Sequence, residues 1–460
     1  MTVSLSPEPR AVPPLRRLPG WAVRAVAVAF ATGGVGVGPV AAQTGSSPLV
    51  VGPAAALPLP AVLDLPAAFR LARRSGPLRQ LADAREEAGT GRVRETGQWL
   101  NPTLEWRREN LGSALQPDIF VTAYVPVDLT GRRLALRAAT GAGRQRVQAD
   151  AVAERREAEL EVARAWLRAA ATQGALELAD RQVAALSEIA DVDATRLREG
   201  LVSEAVGLRT QLEADRARVA RVAATGDAAR AAAQLARVLG IAMDQLPALA
   251  ALAAPGMPAA PDSAAASVMA LAARPELRAR EAAVQEASRR LAAERRGLFG
   301  DLQVQGGTKQ TSGFMTGQIG VGMPMPLFHR NDAARQRARG EYAEAQVLRD
   351  DMRQQVRGDV DAARRVYAAS RAAAQSAGTF DARGREVARI ARVAYAEGHA
   401  TLTELLDAER AASDAMHAHL RWVVDAWLAR LEFERALGAR LDETSPLDLP
   451  LLSTPLTPAP

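Results

Sequence analysis

The chain has no cysteine, a single lysine (Lys309), and only six tryptophans, four tyrosines and eight phenylalanines in 460 residues. The lack of cysteine excludes disulfides, thiolate metal ligation and a lipid-modified N-terminal cysteine. With 48% hydrophobic residues but so few aromatics, a core must be built from Ala and Leu, which suits close helix packing. The net charge of +6 is carried almost wholly by arginine. Its clusters are interleaved with acids, as in Arg155-Arg156-Glu157 and Glu294-Arg295-Arg296. They read as solvated helix faces and not as an unpaired basic stripe, so no nucleic-acid partner is expected. No stretch holds the roughly eighteen apolar residues that a membrane-crossing helix needs. Any membrane crossing must therefore be made by strands.

The N-terminus carries export signals. Arg16, Arg17 and Arg24 precede the apolar run Ala25 to Phe30, and Val40-Ala41-Ala42-Gln43 offers a cleavage site after Ala42. Residues 1–42 are thus expected to be a signal peptide and 43–63 a flexible lead-in.

Internal similarity is the most informative feature present. "LREGLVSEAVGLRTQLEADRA" (197–217) aligns with "YAEGHATLTELLDAERAASDA" (395–415), placing Gly200 on Gly398, and the same shift carries Leu239-Gly240 onto Leu437-Gly438. "YVPVDLTGRR" (124–133) falls on "PMPLFHRNDA" (324–333). The expectation is two repeats, 64–242 and 274–442, joined by a linker at 243–273 and followed by a disordered Pro-rich tail at 443–460.

Each repeat opens with a helical segment (about 64–98 and 264–298), then two extended segments. The strands are expected at about 101–110 and 118–127, and at about 301–309 and 316–326. In "TGQIGVGMPMP" (316–326), Ile319, Val321, Met323 and Met325 alternate with Gln318, Gly320, Gly322 and Pro324. Trp106 and Tyr124 are expected as interfacial aromatics. Strands of about ten residues fit a membrane-crossing β-strand. Proline-free runs follow from Arg132 to Arg198 and from Asn331 to Glu397, each roughly 100 Å of helix. Helices so long need lateral partners, and the last one has a seam of Leu402, Leu405, Ala412, Met416, Leu420, Val423, Trp427 and Leu431 for this purpose. Four strands cannot close a barrel, whereas three chains would supply twelve.

The stretches "RPELRAREAAVQEASRRLAAERRGLFGDLQVQGG" (274–307), "GVGMPMPLFHRND" (320–332) and "YAEGHATLTELLDAER" (395–410) carry a resemblance to the TolC family of outer-membrane efflux channels. It covers about residues 64–442. "PVDLTGRR" (126–133) and "PMPLFHRND" (324–332) are more similar to the heavy-metal branch, typified by the cobalt-zinc-cadmium exporters, than to the multidrug branch. The resemblance implies a mainly α fold with a small β part: a homotrimer with a twelve-stranded β-barrel in outer-membrane lipid, continued by a long periplasmic α-helical barrel. It also implies a periplasmic adaptor and an inner-membrane RND-type pump as partners. The implied location is the bacterial outer membrane, extending into the periplasm. No enzyme activity and no cofactor are expected.

Glycines 200 and 398 are read as caps where long helices turn at the periplasmic tip. By resemblance, Gly200, Leu201, Val202, Gly398, His399 and Thr401 dock the adaptor. Glu404 and Asp407, three apart and so on one helix face, would form an acidic ring at the entrance; the alternative is a solvated pair bridged to Arg410. Tyr395 matches the family tyrosine that holds the tip closed, and Val206 stands where its acidic partner is expected, leaving Glu204 or Arg209 as substitutes. His417 and His419 are a poor metal pair, and Met323 and Met325 are read as packing or lipid contacts, so no metal site is assigned. His329 receives no chemistry. Two other readings stay open: a drug or polypeptide channel of the same kind, and a soluble coiled-coil scaffold.

Overall fold

The computed structural model describes residues 59–111, 117–328 and 330–439. The expected signal peptide, nearly all of the lead-in, the Pro-rich tail and His329 lie outside the described residues. The chain divides into two compact units, one formed by residues 99–132 and 296–330, the other by the helical remainder.

The first unit is a four-stranded antiparallel sheet of β2 (Thr103–Arg108), β3 (Ile119–Val127), β5 (Leu302–Thr311) and β6 (Phe314–Gly322), in the order β2-β3-β5-β6. The remaining two strands, β1 (Val62–Leu63) and β4 (Ala248–Leu249), pair in parallel in the other unit. Residues directly opposite one another share a face. The pairs Trp106↔Val121, Val125↔Val304, Val304↔Val321 and Gly306↔Ile319 therefore line one face. That face is mostly apolar, with Arg108, Thr308 and Gln310 toward its hairpin end, and it is open: Trp106 is 65% exposed and Ile319 85%. The reverse face carries Glu105, Thr122, Gln303, Gln305, Lys309 and Gln318. On it, Phe120 lies under Arg107 and Lys309, at 4.7 and 5.0 Å. Tyr124 pairs with Thr103 and Gln305 and so lies on this polar face, opposite to Trp106.

The second hairpin closes in a tight turn. Ser312 and Gly313, both with positive φ (47° and 86°), form it, so β5 runs on to Thr311 and β6 starts at Phe314. β6 ends at Gly322, short of the expected 326, because Pro324 and Pro326 have no N–H for the ladder.

The helical unit has the same element order twice. α1 (Leu65–Ser75) and α2 (Pro77–Thr96) precede the first strand pair; α3 (Arg132–Arg198) and α4 (Glu204–Leu239) follow it. α5 (Ser263–Ala273) and α6 (Pro275–Arg296) precede the second pair; α7 (Asp332–Ala396) and α8 (Leu402–Ala436) follow it. The expected linker 243–273 is therefore only partly a connection, since its last eleven residues are α5. Each short helical pair is broken by a proline, Pro77 or Pro275, that starts a new helix at its first position. Asp64 and Asp262 cap α1 and α5 by accepting the N–H of Ala67 (2.7 Å) and Ala265 (2.6 Å).

Three apolar clusters hold this unit. One joins α1, the middle of α3 and the end of α4 around Phe69, Leu160, Trp166 and Leu235, with the Trp166 indole donating to the Leu63 carbonyl at 3.0 Å. The second joins α5, the middle of α7 and the end of α8, where Tyr367 stacks on Phe433 with ring centroids 5.2 Å apart. The third lies among the turns that end α3 and α7.

Candidate functional site

Sequence makes both turns in one way. α3 ends at Arg198 and Gly200 takes φ 72°, so that Gly200 N–H donates to the Leu197 carbonyl (3.0 Å) and Leu201 N–H to that of Arg196 (2.8 Å). At the second turn Gly398 has φ 77°, with Gly398 N–H donating to Tyr395 (3.1 Å) and His399 N–H to Ala394 (2.8 Å). This double bond pattern satisfies carbonyls that the helix end leaves orphaned, and it needs a left-handed residue. A Cβ would meet nothing within 4 Å at either glycine, so φ alone demands the residue type. Leu201 is 69% exposed; Gly200, Gly398, His399 and Thr401 are exposed and Val202 is half-buried.

Beneath the turns, α3, α4, α7 and α8 bury Leu186, Ile189, Ala214, Leu402, Leu405 and Tyr395 together. Tyr395 donates its hydroxyl to Asp193 Oδ1 at 2.6 Å. Asp193 is fully buried, its Oδ2 accepts no hydrogen bond, and Arg196 Nη1 stands 4.0 Å from Oδ1. Arg196 also covers the Tyr395 ring at 5.0 Å and donates to the Ala396 carbonyl at 3.1 Å. Burial, and next the hydrogen bond to Asp193 and its charge, push the Tyr395 hydroxyl up to about 12, with Arg196 opposing. The expected tyrosine partner is thus corrected: the acid comes from α3, before the turn, and not from the position of Val206 after it. Val206 is apolar packing against the same cluster. Of the two substitutes, Arg209 reaches Thr403 instead, at 3.4 Å, and Glu204 opens α4 from an exposed position.

Glu404 has a local task that the sequence reading missed. Thr401 accepts the Glu404 N–H (3.3 Å), and the Glu404 carboxylate accepts the Thr401 N–H (2.7 Å) and hydroxyl (2.9 Å), a reciprocal capping box that starts α8. The Thr401 N–H, then its hydroxyl, hold the Glu404 carboxyl below the usual range. The signal was present as Thr401-Leu402-Thr403-Glu404. Asp407 shares the exposed face of α8 and lies 3.8 Å from Arg410, whose other nitrogen binds Glu213 at 2.8 Å. Asp193 also left a signal: an acid in register with the apolar seam Leu186, Ile189, Ala190.

Among the described residues, no group of three or more His, Asp or Glu side chains could hold a metal ion, and no helix is long and apolar enough to cross a membrane. What remains is a helical end with a buried tyrosine–aspartate bond, exposed turns and surface acids.

Residues 266–439 match the family model of outer membrane efflux proteins. No curated protein matches the chain. Among solved structures, the chain is similar to the outer membrane protein VceC of Vibrio cholerae, at TM-score 0.69 and 17% identity over 82% of this chain and 96% of that one. It is similar to the open state of the MtrE outer membrane channel of Neisseria gonorrhoeae, at TM-score 0.69 and 19% identity over 83% and 91%. It is likewise similar to CusC, whose structures concern transmembrane channel formation, at TM-score 0.70 and 17% identity over 82% and 92%. At these identities what is shared is the fold.

Proposed function

We propose that the protein is the outer-membrane channel of a tripartite efflux system. A homotrimer would supply twelve strands to a barrel, receive substrate from a periplasmic adaptor and an inner-membrane RND-type pump, and conduct it passively to the exterior. The observation that carries this reading is the sheet. One face is mostly apolar and exposed, the other mostly polar, and both edge strands, β2 and β6, are open. Such a sheet is costly in water and in lipid alike until its edges are paired and its apolar face is covered by acyl chains. A soluble scaffold offers no place for Ile319 at 85% exposure beside Val321 at 66%.

At the helical end, the Tyr395–Asp193 bond would hold α7 against α3 and so narrow the entrance. The exposed residues Gly200, Leu201, Val202, Gly398, His399 and Thr401 would meet the adaptor. Asp407, and Glu404 beyond its capping role, would repeat three times around the aperture and concentrate cations there. This favours cationic cargo, and heavy-metal cations in particular, over drugs as the alternative. The test is growth of a deletion strain on cobalt, zinc, cadmium, nickel, copper and silver beside a drug panel, together with fractionation of the mature protein. Selective metal sensitivity and recovery of trimers in the outer membrane are expected. Drug sensitivity alone would overturn the cargo, and a soluble mature protein would overturn the channel.

A further inference from the structure

The segment after β6, Met323-Pro324-Met325-Pro326-Leu327-Phe328, does not join the sheet and buries little of its apolar surface. Met325 is 72% exposed, Leu327 65% and Phe328 92%. Two prolines stiffen it, and Leu327 N–H donates to the Met325 carbonyl at 2.9 Å, so these side chains are presented by a fixed turn. The sheet register places this turn. Gln303 pairs with Gly322, Val127 with Leu302, and a Cβ on Gly300 would touch Pro324, so the end of β6, the start of β5 and the end of β3 lie together. The same end carries exposed Arg330 and also Arg296, which donates to the Gly131 carbonyl at 3.4 Å.

We infer that this turn is an interfacial anchor that binds an anionic phospholipid. Phe328 and Leu327 enter the boundary between headgroups and acyl chains, and Arg330 holds the phosphate. The chemistry of the patch selects this occupant. Aromatic and aliphatic side chains beside arginine at the end of a membrane-spanning sheet match a surface that is apolar on one side and anionic on the other. Free phosphate would not require the apolar turn. The inference rests on the channel reading, because it needs the sheet to lie in a bilayer.

The experiment uses the full mature chain reconstituted into nanodiscs of phosphatidylcholine alone or doped with phosphatidylglycerol, and reads retained lipid by native mass spectrometry. The wild type is expected to retain phosphatidylglycerol preferentially. Arg330→Gln should lower that preference about fivefold, the worth of one arginine at an anionic surface. Phe328→Ser should weaken retention of both lipids. Both positions are exposed in the single chain, so its folding is not at stake, and trimer recovery is measured for each variant so that a lost subunit contact is not read as lost lipid. Equal retention of the two lipids by the wild type, or an unchanged preference in Arg330→Gln, would overturn the anchor. So would displacement of phosphatidylglycerol by lipid A but not by further phosphatidylglycerol. A chain that enters no bilayer would sink the channel reading with it, whereas one that enters every bilayer alike sinks this inference alone.

Discussion

The hydroxyl of Tyr395 donates to Asp193 Oδ1 at 2.6 Å, joining α7 to α3 inside an apolar cluster where the carboxylate is fully buried. A charged acceptor out of water depends on its donor. Tyr395→Phe removes the donor and leaves Asp193, among the described residues, with the Arg196 contact at 4.0 Å. The expected loss is about 2 kcal/mol of local stability, read by hydrogen exchange at the ends of α3 and α7. Asp193→Asn keeps an acceptor and should cost less. The double variant should cost less than the sum, with a coupling of about 1–2 kcal/mol. If the bond closes the channel, each variant also raises single-channel conductance. Additive losses with unchanged conductance would reduce the pair to ordinary packing.

The same bond predicts an alkaline transition. The folded Tyr395 hydroxyl titrates at about 12, above its ordinary value of 10.0. A raised pKa means that the stabilisation is fully present below the unfolded value and is lost as pH rises through the folded one. Between pH 10 and 12 the contacts of α3 with α7 should therefore loosen progressively. Ultraviolet tyrosinate absorbance should show a component titrating near 12 that is missing in Tyr395→Phe.

At the start of α8, cap and surface charge can be separated. Thr401→Ala removes the N-cap and should cost about 1 kcal/mol. Glu404→Gln keeps a side-chain acceptor for the Thr401 N–H, so α8 should persist while the charge is lost. Asp407→Asn breaks no cap, since Asp407 stands in the second turn of α8 and faces Arg410 at 3.8 Å. Reversal potentials across a salt gradient should shift toward less cation selectivity in both neutral variants, with melting temperature unchanged in Asp407→Asn and slightly lowered in Glu404→Gln, which loses the charged form of the cap. The lowered Glu404 carboxyl stabilises the cap above the unfolded carboxylate pKa, and this contribution fades as pH falls through the folded value.

What could be read in advance was periodic or local. The absence of proline from 132 to 198 announces α3, and the alternation in 316–322 announces β6. Gly200 and Gly398 mark the turns because only the left-handed residue type fits there. What was missed depended on distant partners or on one residue of backbone detail. Asp193 and Tyr395 are 202 positions apart, so no window of sequence contains both. The pairing of β3 with β5 joins strands from opposite halves of the chain in the same way. Ser312 takes a positive φ that its identity does not favour, which moved the hairpin turn. The Gly76-Pro77 break fell inside a helical pattern otherwise continuous, and passed for helix.

The two faces of the sheet give the sharpest test of the membrane reading. Ile319 and Gln303 lie on strands β6 and β5, on opposite faces, and both are exposed. In water the two positions would tolerate arginine equally. In a bilayer they would not, because Arg on the lipid face near the midplane costs about 2–4 kcal/mol whereas the lumen face accepts charge. Ile319→Arg should therefore lower the yield of folded trimer in the outer-membrane fraction, and Gln303→Arg should leave it near wild type. The shared hairpin controls for expression and folding, since both substitutions add the same side chain to neighbouring strands. Equal yields would mean that the apolar face meets something other than lipid. A reversed order would place the lumen on the side of Ile319, against the polar row that Gln318 forms with Thr122 at 2.7 Å across β5.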